Sequence, residues 1–182
     1  MRMGRAMLAV VALLFAVPGG AGAATACPGG GTRPNATNAA AAARTTLCLI
    51  NQIRLAHHLR PLETNAPLES VAASQVRTMV SWDYFADVRP TGQTPMSLIA
   101  TSPYRVRGAD ELSVGQNIAW GSGYLSSPGR IVAAWMASPS HRAIILTAEF
   151  RDAGVAVKPA LPSVLRAGRR GATYAMEFAV RR

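Results

Sequence analysis

Acidic side chains are scarce in this chain of 182 residues, with 9 Asp and Glu against 19 Lys and Arg. Cysteine occurs twice, and no internal repeat is visible. Beyond the first two dozen residues no apolar stretch approaches the roughly 20 residues that a membrane-spanning helix requires, so no transmembrane anchor is expected. The arginines are scattered, and no platform of interleaved aromatic and basic residues appears, which argues against nucleic acid as a partner. Two lone cysteines make a poor metal site. In an exported chain they read instead as one disulfide, Cys27 to Cys48, worth about 3 kcal/mol in the loop-entropy account.

The start of the chain supports export. Met1-Arg2-Met3-Gly4-Arg5 is basic, Ala6 to Val17 is apolar, and the stretch to Ala23 is small and ends in an Ala-x-Ala pattern. That is the layout of a secretory signal peptide over residues 1–23, cleaved after Ala23. Residues 24–38 are rich in Gly, Pro, Thr and Asn and read as a linker tethered by Cys27, leaving one domain over 39–182. The formal charge of +10 becomes +8 once Arg2 and Arg5 depart with the leader. Such a surface suits anionic partners such as lipid headgroups or acidic cell-envelope polymers.

Periodicity places the elements. Thr37 or Asn38 can cap a helix running through the alanines to about His58. Asn65 caps a second helix with Pro67 in its first turn, and Leu68, Val71, Ala72, Gln75, Val76 and Met79 recur at spacings of three and four as its core stripe. Thr94-Pro95 opens a short helix, and Gly115 to Gly121 is a short strand. Ser127-Pro128 begins a helix that carries Ile131, Val132 and Trp135. Pro139 interrupts it, because proline lacks the N–H and clashes with the preceding turn, so His141 starts a new turn. Ala153–Val157 and Thr173–Val180 alternate as strands that can form a hairpin, with Tyr174, Met176, Phe178 and Val180 on one face. Periodicity alone supports an α+β domain.

The stretch Trp135-Met-Ala-Ser138-Pro139-Ser-His141-Arg-Ala, with Leu49-Ile-Asn51-Gln-Ile-Arg54 and Gly115-Gln116-Asn117-Ile118-Ala119, resembles the CAP superfamily, or SCP domain, over roughly residues 45–180. The resemblance implies an α-β-α sandwich, a small antiparallel sheet with helices packed on both faces. It implies that Asn51 and Arg54 hold neighbouring loops. It also implies a cleft which in many members carries two histidines and two glutamates and can hold a divalent metal. The matching positions here are Asp87, Gln116, Ser138 and His141. A catalytic zinc site usually takes three protein ligands. Asp87 and His141 supply two and Gln116 is neutral, so the site reads as degenerate, with weak divalent binding at most and no cofactor.

The expected arrangement is a hydrogen-bonded cluster of Asp87, Gln116 and His141 that fixes the cleft. The expected function is a non-enzymatic extracellular binding module for an anionic or amphipathic envelope component. Two alternatives stand beside it: a hydrolase in which Asp87 orients His141 toward Ser138 or a water, and a purely structural extracellular module. Trp82, Trp120 and Trp135 are read as core residues.

Overall fold

The structure is a computed structural model that describes residues 26–105, 111–166 and 169–181. The leader expected over residues 1–23 lies outside these. The helices are α1 (Ala39–Ala56), α2 (Ala66–Ser81), α3 (Pro95–Ala100), α4 (Pro128–Ala137), α5 (Pro139–Ile145) and α6 (Ser163–Arg166), and the strands are β1 (Glu63–Thr64), β2 (Leu112–Ser122), β3 (Asp152–Lys158) and β4 (Gly171–Arg181). The sheet order is β1-β3-β4-β2, antiparallel except for the two-residue β1, which pairs in parallel with β3. Two residues are too short a run to show alternation, so β1 has no sequence signature.

The two faces of the sheet carry different cores, as strand alternation requires. On one face Tyr174, Met176, Phe178 and Val180 pack with Ile50 of α1 and Ile131 and Trp135 of α4. On the other, Ile118, Ala156 and Ala175 meet Ala72, Val76 and Met79 of α2. Helices therefore cover both faces of an α-β-α sandwich. The approach of α2 is close, because a Cβ on Gly154 would overlap the Leu68–Glu69 backbone. Only glycine lets that helix lie so near β3.

Local sequence explains the helix boundaries. Asn65 accepts from Leu68 N at 3.4 Å with Pro67 in the first turn, and Thr94 with Ser97 forms a reciprocal capping box. At α1 the preceding residue is Asn38, but its side chain does not cap the helix. Its Oδ1 accepts from Asn35 N at 2.6 Å instead.

Arg54 is the principal buried tether. It is completely buried and donates to the carbonyls of Arg60, Ile145, Thr147 and Phe150. Asn51 exchanges hydrogen bonds with the Leu62 backbone in both directions. Together they bind α1 to the end of α5 and to the entry of β3. Cys27 and Cys48 are joined, with Cα atoms 5.8 Å apart. The preceding segment lies against the domain, Thr45 donating to Pro28 O and Gly129 N to Gly30 O.

Candidate functional site

The Ser-Pro break does what its chemistry requires. Ser138 is extended, at φ −94° and ψ 119°, and Pro139 opens α5 at a position where a missing N–H costs no helical bond. His141 therefore lies in the first turn of α5. Its Nδ1 is 2.7 Å from Ser138 Oγ, which in turn is 3.3 Å from Ser140 Oγ. Asn117 Nδ2 donates to His141 O at 3.1 Å, fastening α5 to β2. Trp135 Nε1 donates to Ile118 O at 3.1 Å and fixes α4 on the same strand.

Because β2 is an edge strand, the segment after α2 and the α4–α5 corner can meet alongside it. They form a cleft of about 440 Å³ lined by Phe85, Ala86, Asp87, Ile118, Ala119, Trp120, Ala134, Trp135, Ser138 and His141. Asp87, Ser138 and His141 thus share one cleft. Gln75 holds the far side by donating to the Ala86 and Asp87 carbonyls and accepting from Arg89 Nε at 3.1 Å. Among the described residues the Asp87 carboxylate makes no hydrogen bond, to His141 or to any other group.

Gln116 does not line the cleft. It points into the sheet–α2 layer, where Nε2 donates to Glu177 Oε1 at 2.7 Å across the β2–β4 ladder. The expected Asp87–Gln116–His141 cluster does not form. Its members face three ways: Asp87 to solvent, Gln116 to Glu177, His141 to Ser138. The physical reason is alternation. Gln116 shares the α2-facing side of β2 with Ile118, while Asn117 faces the helix that bears His141.

Glu177 is the residue that sequence reasoning passed over. It is completely buried, and its pKa is pushed up to about 8, chiefly by loss of solvent and further by the Asp87 charge, with the Gln116 hydrogen bond and Arg89 acting in the opposite direction. Among the described residues Glu177 Oε2 and Gln116 Oε1 are both buried acceptors without a partner. A proton on Glu177 converts one of them into a donor. The signal was present as a lone carboxylate among the otherwise apolar residues Tyr174 to Val180 of the last strand. Of the tryptophans, Trp135 is buried, but Trp82 and Trp120 are 50% and 39% exposed. Trp120 belongs to the cleft rather than the core.

The family model of the cysteine-rich secretory protein family, CAP, matches residues 47–160. The chain belongs to the CAP family. This CAP chain is 31% identical over 107 residues to YkwD of Bacillus subtilis (strain 168), a match covering 59% of the chain and 38% of YkwD. It thus spans well under half the length of that relative. Among solved structures it resembles an outer surface protein from Borrelia burgdorferi, with a TM-score of 0.58 at 20% identity over 75% of this chain and 90% of that one. It also resembles an extracellular protein containing an SCP domain from Bacillus anthracis, with a TM-score of 0.56 at 24% identity over 74% of this chain and 39% of that one. At such identities the likeness concerns the fold alone. Among the described residues no helix is long and apolar enough to cross a membrane.

The residues of this CAP cleft do not fit a divalent metal. They offer one imidazole, whose Nδ1 faces Ser138, and one carboxylate, while the Gln116 amide is committed to Glu177. Among the described residues no group of three or more His, Cys, Asp and Glu is placed to hold an ion.

Proposed function

We propose that this CAP domain is an exported, non-enzymatic binding module whose cleft holds an amphipathic component of the cell envelope. The lining carries the reading. Phe85, Ile118 and Trp120 give the cleft an apolar wall, and Asp87, Ser138 and His141 supply a few polar groups beside it. An apolar pocket with few polar groups is the usual form of a small-ligand site. Export is supported by the leader pattern of residues 1–23 and by the Cys27–Cys48 bridge. The basic surface favours an anionic envelope.

One contact favours the second reading, a hydrolase: Ser138 Oγ and His141 Nδ1 are 2.7 Å apart. Three features weigh against it. Asp87 does not orient the imidazole by a hydrogen bond. The nitrogen facing the serine is Nδ1, the one a catalytic triad gives to its carboxylate. The same Ser138 hydroxyl is also within reach of Ser140.

A lipid and glycan array separates binding from a purely structural role. The wild type is expected to retain a defined class of ligand, and Ala134→Trp, at an exposed position in the cleft wall, is expected to lose it. Equal retention by both proteins would remove the cleft from the account.

A further inference from the structure

A second concavity lies away from the cleft, between the amino-terminal segment and the loop joining β3 to β4. It has a volume of about 630 Å³, and its lining brings together Arg33, Arg166, Arg169 and Arg170, with no acidic residue beside them among the described residues. Pro34 and Leu161 contribute apolar wall. Among the described residues none of the four guanidinium groups has a hydrogen bond or ion pair within the protein.

Both walls are fastened. On one side the Cys27–Cys48 bridge and the Gly129 N–Gly30 O bond hold the segment to α1 and α4, and Asn38 Nδ2 donates to Arg33 O at 3.1 Å. On the other, Thr173 Oγ1 donates to Ala160 O at 2.8 Å, Val164 N to Asp83 Oδ1 at 2.9 Å and Gly123 N to Arg170 O at 3.0 Å. Four like charges around one concavity repel, and an entering anion relieves that repulsion. Arginine's planar fork matches phosphate oxygens in paired hydrogen bonds. A phosphate offers up to two charges and three acceptor oxygens, enough to engage several arginines, where a carboxylate offers one charge.

The geometry points to a binding site for a phosphate-bearing ligand at Arg33, Arg166, Arg169 and Arg170, distinct from the cleft beside His141. The organic part of a phosphate ester would lie along Leu161 and Pro34. The phosphate can belong to a soluble molecule or to a lipid headgroup, and two probes distinguish these sources.

The test is calorimetric titration of the disulfide-bonded chain with pyrophosphate, and co-sedimentation with phosphatidylglycerol vesicles. Two charge-reversed variants are compared, Arg166→Glu/Arg170→Glu at the cavity and Arg44→Glu/Arg77→Glu at exposed positions on α1 and α2. Both change net charge equally, and thermal melts establish that each is folded. Saturable binding of either probe is expected, weakened about tenfold or more by the cavity variant and less than about twofold by the control. Binding of pyrophosphate alone assigns the site to soluble phosphates, and vesicle binding displaced by pyrophosphate assigns it to a headgroup. Equal weakening in both variants would reduce the effect to net charge and overturn the proposal. So would failure of both probes to bind the wild type.

Discussion

Gln116 and Glu177 lie opposite each other on β2 and β4, and the Gln116 amide donates to the Glu177 carboxyl at 2.7 Å. This is a buried acid beside a neutral partner, in a layer sealed by α2. Its protonation links stability to pH. Unfolded, Glu177 ionises near its ordinary 4.5, whereas folded it keeps its proton to about 8. Between those values the native state binds the extra proton. The stabilisation is complete below pH 4.5 and is lost as pH rises toward 8.

Urea denaturation at pH 5, 6.5 and 8 should therefore show stability declining with pH, with Glu177 contributing a slope approaching about 1.4 kcal/mol per pH unit. Glu177→Gln should remove that contribution and be more stable than the wild type at pH 8. An unchanged slope in the variant would show that Glu177 is ionised in the fold.

Exchanging the partners tests the pair itself. Gln116→Glu sets two carboxyls against each other in a buried layer and should cost about 2–4 kcal/mol at pH 8, and less at pH 5 where both can be protonated. Adding Glu177→Gln restores one acid and one amide in reversed order and should recover most of the loss. Additive effects in this cycle, measured by denaturation, would mean that the two side chains do not interact.

Arg54 offers a separate test, on the scaffold that carries His141. Arg54→Ala strips donors from the buried or partly buried carbonyls of Arg60, Ile145, Thr147 and Phe150 and should cost about 3–5 kcal/mol in a thermal or denaturant melt. Arg54→Lys should restore little, because one ammonium cannot reproduce the planar fork. A loss below about 1 kcal/mol for the alanine variant would show that these carbonyls find other donors.

The helices of this fold were legible because their signals are local. Asn65, Thr94 and Pro128 mark starts, Pro139 marks a break, and the stripe Leu68–Met79 has its period written in six residues, all buried as that period requires. The roles expected for Asn51 and Arg54 are those the structure shows, since both came with a motif that fixes their neighbours. The cleft was legible only in part. Asp87, Ser138 and His141 meet because two segments converge on an edge strand, whereas the facing of Gln116 depends on strand register. Register is set by β2 pairing with β4 some 61 residues away, and no local pattern encodes it. For the same reason Glu177 gained its importance only when β4 was placed beside β2, and Trp120 moved from core to cleft when β2 became the edge.

Binding without turnover is the central claim, and one cuvette experiment addresses it. The chain is titrated with a chromogenic acyl ester while tryptophan emission and product release are followed together. Trp120 lines the cleft, so emission should change saturably with ligand in the wild type and far less in Trp120→Phe. Product should appear at the same slow rate with wild type, His141→Ala and Ser138→Ala. Ester turnover by the wild type that disappears in both His141→Ala and Ser138→Ala would contradict the account and make the 2.7 Å Ser138–His141 contact a catalytic one.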